Sequence, residues 1–474
     1  MDRRRFTELM VIITVAPGMA KRVRQFARVV ARYDETDFDV RSFGAKGDGQ
    51  ADDTLAFRSA IAAARTVSGT VFVPAGSYAV PHALRLPAGV TLRGAGRESV
   101  LRHVDGEPEV VVVLGDKQVQ VLDLSIEGRF AHGVLVHQST DVTVARCHVS
   151  GGTVPRYGYS GGLMVVGSNR VTIEDCEFDG NGGDGYIQGS DIQCDGLGAT
   201  SSDIHILRND CQSTRVAVNI RCYDSSRTEI RGNRVSGARM LGTSNHGYGI
   251  LVYPTLPNPD ACFENVIVGN TVSHTDGSGI YLVRSPRSRV EDNIIDDVAR
   301  IQADHTLPVA GIALNQSQYV TIARNRISNS GKAGISIASN QPSVGHVDVH
   351  DNMISATAGY GIHLRGTLEA IQVTHNSISG THGGIGGDTQ DVQTGIEIRG
   401  NELTDIQGTG IRLGNSQHSH VEGNTVRNCT GYGLDLALQD DDSTSADNDV
   451  QEAGTTWGKG SAAVRIVRGG KPLN

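Results

Sequence analysis

The stretch GIALNQSQYVTIARNRI, Gly311 to Ile327, contains both halves of a pattern that fills most of the chain. Its first half, GIAL, follows a glycine and alternates apolar with other residues. Its second half, VTIARNRI, alternates in the same way and carries an asparagine near its end. Alternation with period two predicts a strand that turns one side chain inward and the next outward. Each half therefore predicts one short β-strand.

Both halves recur along the chain. From Gly249 to Gly361 the glycine-led half repeats at spacings of 30, 32, 23 and 27 residues. Strands this short cannot fold alone, and stacking them at such a period predicts an all-β parallel β-helix rather than a propeller, whose blades need four strands in about 40 residues. Stacked coils would align the recurring asparagine amides in a ladder. The asparagines at this position are Asn209, Asn233, Asn270, Asn325, Asn352, Asn376, Asn401 and Asn424, and Cys147 and Cys176 take the same place in earlier coils.

Composition agrees with a fold of many tight turns, because the chain has 59 Gly, 13 Pro and only 5% aromatic residues. The formal charge of -9 argues against a general nucleic-acid binder. No run of about 18 apolar residues exists, so no transmembrane helix is expected. The seven cysteines follow no C-x-x-C spacing, which favours free buried thiols over a metal site or a disulfide scaffold.

The N-terminal residues precede the repeat and carry a pattern of their own. Arg3, Arg4 and Arg5 precede the mostly apolar run from Leu9 to Ala16, a pattern typical of a twin-arginine export signal, with an amphipathic helix as the alternative. We predict a signal and linker over residues 1–36, a cap and first coils over 37–100, the β-helix over 101–450, and a final cap and tail over 451–474. A working signal would place the protein in the periplasm or outside the cell; without one it would be cytoplasmic.

The glycine-rich stretch FGAKGDGQADDTLAFRSAI, Phe43 to Ile61, is not a nucleotide site. Its glycines follow the order G-x-x-G-x-G, which is neither the dinucleotide fingerprint nor a Walker loop. The run from Leu55 to Arg65 predicts a small amphipathic helix with capping oxygens from Asp52, Asp53 and Thr54. This helix would cover the open end of the solenoid.

The segment DVRSFGAKGDGQADDTLAFRSAI, followed by GTVFVPAGSYAV at residues 69–80, resembles the opening of the pectate-lyase-like superfamily. That resemblance implies a single-stranded right-handed parallel β-helix with a short N-terminal capping helix. It also implies that a polysaccharide lies along the sheet of glycine-led strands. It does not specify the reaction, since the superfamily contains lyases, epimerases, hydrolases and non-enzymes. Relatives may form homotrimers, although no interface is visible in this sequence.

Long insertions predict where a cleft would lie. They cover residues 153–160, 189–202, 238–248, 253–262 and 299–309, and most adjoin a glycine-led strand. Because long loops on a rigid scaffold commonly carry function, the cleft is expected between about residues 154 and 315.

The densest acidic segment in that window is GGDGYIQGSDIQCDG, Gly182 to Gly196. Its carboxylates, Asp184, Asp191 and Asp195, could form an acid–base pair for glycoside hydrolysis or a Ca²⁺ site, or simply shape turns. Tyr186 and Gln188 in the same segment are candidate substrate contacts. No cofactor is required by the pattern, and Ca²⁺ is the one that it allows.

Arginine, tyrosine and histidine residues are further candidates for substrate contact or proton transfer. If Val218 and Ile220 face inward, Asn219 and Arg221 face the cleft, where a guanidinium suits a substrate carboxylate; Arg215 is second. Tyr281 should point outward between Ile280 and Leu282. The remaining candidates for proton transfer or substrate contact are His246, Tyr248, Tyr253, Arg284, His305 and Asn315.

Three function classes remain open. A lyase or C5-epimerase on a uronic-acid polysaccharide would use Arg221 to neutralise the carboxylate and Tyr281, Tyr253 or His246 to move protons. A glycoside hydrolase would use Asp184 with Asp191 or Asp195, and a non-catalytic solenoid would only bind glycan. The chain lacks both the Y-G-F-D-P-H signature of the mannuronan epimerases and the R-I-K of the family 28 hydrolases, so neither catalytic set transfers intact.

Overall fold

Short alternating strands joined by tight turns form the repeating unit of the structure. A computed structural model describes residues 37–453, 464–468 and 471–472, apart from segments 104–105, 154–158, 183–187, 196–198, 241–246, 256–260, 302–308, 340–343, 388–391 and 441. Within these residues, successive coils stack in parallel and present three faces, A, B and C, visited in that order along most coils. Strands are numbered β1–β49 along the chain. The parallel β-helix predicted from the repeat is confirmed.

Face A comprises Leu84–Arg85 (β5), Glu109–Leu114 (β8), His132–His137 (β11), Tyr159–Val166 (β14), Gln188–Asp195 (β17), Val218–Tyr223 (β20), Tyr248–Tyr253 (β24), Ile280–Val283 (β27), Ala310–Asn315 (β30), Ala333–Ala338 (β33), Tyr360–Arg365 (β36), Gly383–Gly386 (β39), Ile411–Gln417 (β42), Leu434–Leu438 (β45), Val464–Arg468 (β48) and Lys471–Pro472 (β49). Face B comprises Asp37–Asp39 (β1), Thr70–Val73 (β3), Thr91–Gly94 (β6), Lys117–Leu122 (β9), Thr140–Ala145 (β12), Asn169–Glu174 (β15), Ser201–Leu207 (β18), Ser225–Ser226 (β21), Glu229–Arg231 (β22), Val266–Val268 (β25), Arg289–Glu291 (β28), Val320–Ala323 (β31), Val344–His350 (β34), Leu368–Thr374 (β37), Gln393–Arg399 (β40), His420–Glu422 (β43) and Thr444–Ala446 (β46). Face C comprises Asp48–Asp52 (β2), Gly76–Ala79 (β4), Ser99–His103 (β7), Ser125–Phe130 (β10), His148–Gly152 (β13), Glu177–Asp179 (β16), Asp210–Cys211 (β19), Arg234–Ser236 (β23), Thr271–Ser273 (β26), Ile294–Val298 (β29), Arg326–Ser330 (β32), Met353–Ser355 (β35), Ser377–Ser379 (β38), Glu402–Ile406 (β41), Thr425–Cys429 (β44) and Asp449–Ala453 (β47).

An asparagine ladder joins the coils between faces B and C. The backbone N–H of each ladder residue donates to Oδ1 of the next one at 2.8–3.0 Å. Each side-chain N–H also reaches a backbone carbonyl of a neighbouring coil, as Asn325 Nδ2 does with Val290 O at 2.8 Å. The predicted ladder is therefore confirmed, and it also includes Asn293 and Asn448, which the sequence pattern missed. Cys147 and Cys176 continue it.

One apolar core runs along the solenoid axis and contains the inward residues of all three faces. All seven cysteines are buried and free, as predicted. The recurring glycine of face A allows this packing, because a Cβ on Gly334 would lie 2.4 Å from Ile354 Cγ2 and 2.7 Å from Gly361 O. Glycine is needed there for close approach between face A and face C.

A helix, α1 (Thr54–Arg65), and a 3₁₀ turn, Val40–Phe43, lie at the N-terminal end. The apolar side of α1 is buried, and Phe57 meets the Tyr78 ring edge-on at 5.5 Å. Asp52 caps the helix by accepting from Thr54 N at 2.9 Å. The capping predicted for Asp53 is wrong, since its carboxylate accepts instead from Lys46 N and Gly47 N of the glycine-rich turn.

One further expectation concerns the strands. The insertion predicted over residues 189–202 is wrong over most of its length, because Gln188–Asp195 is strand β17 and β18 begins at Ser201. No helix among the described residues is long and apolar enough to cross a membrane. The predicted export signal, residues 1–36, lies outside the described residues.

Candidate functional site

A row of outward side chains crosses face A from coil to coil. Strand pairing aligns Gln193 with Arg221, Arg221 with Leu251, Leu251 with Tyr281, and Tyr281 with Ala313. On each strand the neighbouring positions belong to the core, as Ile280 and Leu282 do. The row therefore lies on the outer side of the sheet, within the window where the sequence predicts a cleft.

A second apolar cluster, separate from the core, surrounds this row. We call it the tyrosine cluster. Its buried members are Ala217, Val218, Tyr223, Tyr248, Leu251, Tyr281, Val283, Ala310, Ala313 and Ala333, with the half-buried Tyr253 packed against them. The rings of Tyr248 and Tyr281 are 5.2 Å apart and edge-on, and those of Tyr223 and Tyr253 are 5.8 Å apart. The second pair is tilted rather than edge-on, and both separations lie in the range in which aromatic rings attract each other.

Arg221 is the charged residue of the row. Its side chain has no exposed surface, and its guanidinium carbon lies 5.3 Å from the centre of the Tyr223 ring. In the preceding coil, Gln193 Nε2 donates to Asp195 Oδ2 at 2.8 Å, and both side chains are buried. A buried cation is thus set among aromatic rings with an amide and a carboxylate in the adjoining strand, where its attraction for an anion is strong because the surroundings are of low dielectric.

The tyrosines of the cluster are set to hold their protons. Burial raises the pKa of Tyr281 to about 12, against a smaller opposing effect of the hydrogen bond that Asn315 Nδ2 donates to its hydroxyl at 3.3 Å. Burial also raises the pKa of Tyr248 well above its usual value. Both phenols are therefore protonated at neutral pH, as a free tyrosine also is, and each carries an O–H group on this face.

Asp191 lies elsewhere, inside the solenoid. It has no exposed surface, and its carboxylate accepts from Asn181 Nδ2 at 3.1 Å, Asn219 Nδ2 at 2.9 Å and Ser213 N at 3.3 Å. Burial raises its pKa to about 6, although these hydrogen bonds oppose the shift. Asp191 and Asp195 are four residues apart on β17, which separates them by about 13 Å along an extended strand. That distance exceeds the separation of paired glycosidase carboxylates and of carboxylates that share a Ca²⁺ ion.

The outward orientation predicted for Asn219 is wrong. Strand pairing places Asp191 and Asn219 where other coils carry the recurring glycine, such as Gly249. Their side chains point inward and bind each other, and Val218, expected inside, belongs to the tyrosine cluster.

The other predicted residues are placed as follows. Arg215 is exposed, and Arg284, partly buried, has a left-handed backbone with φ 42° directly after β27. Gln188 begins β17. Asp184, Tyr186, His246 and His305 lie outside the described residues. Among the described residues, no group of three His, Cys, Asp or Glu side chains could hold a metal ion.

Sequence reasoning missed several members of the site, namely Gln193, Tyr223, Leu251, Val283 and Ala313. A usable signal was present, because Tyr223 is two residues from Arg221 on the same strand and therefore shares its face. Gln193, Leu251 and Ala313 each lie two residues after the position of the recurring glycine in their coils. Val283 lies four residues after that position.

Three family models match the chain in overlapping or successive parts. "Rhamnogalacturonase A/epimerase, pectate lyase-like" matches residues 38–244, "Periplasmic copper-binding protein (NosD)" matches 191–383, and "Right handed beta helix region" matches 310–466. Together the matched regions cover residues 38–466 without a gap, from the cap to the last coils.

Curated relatives are similar over part of the chain. Mannuronan C5-epimerase AlgE3 of Azotobacter vinelandii is 28% identical over 265 residues, which are 49% of this chain and 14% of that protein. Alginate lyase 7 of the same organism is 32% identical over 180 residues, 32% of this chain and 20% of that protein. The matched stretches thus span a fifth or less of the length of these relatives.

Solved structures share the fold at low identity. PfbA, a surface adhesin of Streptococcus pneumoniae, superposes with a TM-score of 0.52 at 15% identity, covering 81% of this chain and 92% of that one. Tailspike protein 3 of bacteriophage CBA120 superposes with a TM-score of 0.51 at 13% identity, covering 88% and 61%. These similarities concern the fold alone.

Proposed function

Because this chain belongs to the pectate-lyase-like superfamily of right-handed parallel β-helix proteins, we propose that it is a polysaccharide-active enzyme. Its substrate would be a polysaccharide that contains uronic acid, and its reaction would begin with removal of the proton at C5, by β-elimination or epimerisation. Relatives named mannuronan C5-epimerase and alginate lyase support this class of reaction. By the same reasoning, we propose a periplasmic or extracellular location, where such polymers occur.

The observation that carries the proposal is the pairing of a buried cation with protonated phenols on one face. Arg221 and Tyr281 stand on either side of Leu251, two strand spacings apart, which is about 10 Å. One sugar ring fits between such positions. A guanidinium binds a carboxylate with two parallel hydrogen bonds and withdraws its charge, which acidifies the adjacent C–H bond.

The proposed proton steps use the phenol of Tyr281, which lies on the same face as Arg221. A base takes the C5 proton and leaves an enolate that Arg221 stabilises. In β-elimination the C4–O bond then breaks, a C4–C5 double bond forms, and Tyr281 gives its proton to the leaving oxygen. In epimerisation Tyr281 gives its proton to the opposite side of C5. His246, which the sequence places before β24, is the proposed base.

To test this proposal, the protein is incubated with polymannuronate, polyguluronate, polygalacturonate and hyaluronan. Absorbance of the unsaturated uronate, new reducing ends and deuterium uptake at C5 from heavy water are measured together. We expect absorbance with new ends, or deuterium uptake without ends, on at least one polymer. New ends without absorbance would mean hydrolysis and would refute the proposal, as would silence in all three readouts.

Single substitutions test the catalytic role proposed for each residue. Arg221→Gln and Tyr281→Phe should lower kcat by about 10² to 10⁴, while Arg227→Gln, a matched control that removes an exposed arginine paired with Asp203 on face B, should leave kcat unchanged. Arg221→Lys keeps the charge without the planar fork and should retain part of the activity. Thermal unfolding of each variant separates a lost catalytic group from a lost fold.

A second candidate function is a non-catalytic glycan-binding solenoid. The observation that favours it is the nearly complete burial of Arg221, Tyr248 and Tyr281, since a substrate reaches these side chains only if the groups that bury them move. Binding of a uronate polymer with no change in any of the three readouts would favour this function over the enzyme.

A further inference from the structure

A second ladder of side chains follows the turn that leads into face B. One residue of each coil there has a left-handed backbone, with φ between 49° and 66° from Asp141 to His418. In successive coils these residues pair with each other through ion pairs. The pairs are Asp141–Arg170, Asp203–Arg227 and Glu264–Arg287, with Nε to carboxylate distances of 2.6, 2.7 and 3.1 Å.

The next four coils break this pattern of ion pairs. Tyr319 and His346 stack in parallel, with ring centres 4.6 Å apart and planes at 3°. The following two places are held by Ala370 and Gly395, whose side chains are too small to continue the stack. The free face of the His346 ring therefore borders an open space, while Tyr319, which is 56% exposed, supports its other face.

That space is a groove of about 360 Å³ with a polar floor. Asp348, Gln372 and Glu397 form the floor and are aligned on three successive strands of face B. The side chain of neither Asp348 nor Gln372 hydrogen-bonds to another group in the described part of the chain, although the backbones of both residues are paired within face B. Glu397 is 3.7 Å from Arg399, a distance that leaves it able to accept other hydrogen bonds.

We propose that this groove binds a neutral pyranose residue of a glycan. The ring takes the vacant place in the stack, with its apolar C–H face against His346, at about the 4.8 Å spacing of the strands. Its hydroxyl groups donate to the carboxylates of the floor, which gives strong charge-assisted hydrogen bonds. The same carboxylates repel a uronate, so the groove selects against the acidic sugars proposed for face A. This proposal goes beyond the proposed function and does not depend on it.

Binding of cellohexaose, maltohexaose and 1,4-linked mannohexaose is measured by saturation-transfer NMR and calorimetry, with hexamannuronate as the acidic comparison. We expect at least one neutral hexasaccharide to bind. Ala370→Tyr places a ring in the vacant position and should abolish this binding without lowering Tm, because it extends the existing stack. His346→Ala should weaken binding about tenfold, the loss of one aromatic contact.

Two controls make the result specific. Tyr432→Ala removes an exposed tyrosine distant in sequence from the groove and should leave the Kd unchanged. Any binding of hexamannuronate should be unaffected by Ala370→Tyr. The proposal is overturned if no neutral hexasaccharide binds, or if Ala370→Tyr binds as tightly as the wild type.

Discussion

Replacement of Asp191 by asparagine tests whether this carboxylate has a structural role inside the solenoid. Its pKa rises from 3.8 to about 6 on folding, so the folded state binds the proton more tightly than the unfolded state. The stabilisation is complete below pH 3.8 and is lost as the pH rises through 6. A shift of about two units corresponds to about 3 kcal/mol. Asp191→Asn removes the titration, so the difference in unfolding free energy, wild type minus variant, should fall by about 2.5 kcal/mol between pH 4 and pH 7.5, which is less than the full amount because the unfolded carboxyl is already partly ionised at pH 4.

Urea unfolding followed by circular dichroism at pH 4, 5, 6 and 7.5 gives this difference, and other titrating groups cancel in it. Asp141→Asn is the matched control with the opposite sign, because hydrogen bonding to Arg170 lowers the pKa of Asp141 and its stabilisation is lost as the pH falls. A wild-type minus Asp191→Asn difference that is constant within about 0.5 kcal/mol, or that rises with pH, would refute the buried, structural role. Loss of hydrolytic activity in that same variant, with no such pH trend, would instead indicate a glycosidase carboxylate.

Two further predictions concern the scaffold. Asn325→Ala should destabilise the fold by about 3 kcal/mol, because it leaves the backbone N–H of Asn293 and the carbonyl of Val290 buried without partners; an effect below 1 kcal/mol in chemical denaturation would contradict a stabilising ladder. Gly334→Ala should cost a similar amount, since its Cβ would meet Ile354 Cγ2 at 2.4 Å, and an unchanged Tm would show that the two faces can separate without cost.

The fold was accessible from the sequence because its decisive features are local and repeated. Asn325 and its counterparts share one position in an alternating strand, and the helix expected over Leu55–Arg65 is present as Thr54–Arg65. Asn293 was not predicted as a ladder residue, although it occupies the same position. Repetition over many coils compensates for such single omissions, because every unit gives independent evidence for the same element.

The candidate site was harder to predict from the sequence than the fold, because the direction of the side chains changes at the position of the recurring glycine. Strict alternation places Asn219 and Arg221 on one side, but Asn219 and Ile220 both point inward and only Arg221 points out. Two successive inward residues mark the corner where face A begins, and period two does not hold across a corner. The orientation of Tyr281, which lies beyond the corner, follows from alternation and agrees with the structure.

The asparagine ladder has a consequence for how the length of this protein can change. Each coil accepts from the previous coil and donates to the next through the same atoms, so any whole coil has identical connections at both ends. Duplicating or deleting one whole coil would therefore leave every ladder donor matched and would move the parts on either side by about 4.8 Å. Duplications of that kind lengthen faces A and B in steps of one strand, whereas an insertion of half a coil would turn every later residue onto the wrong face.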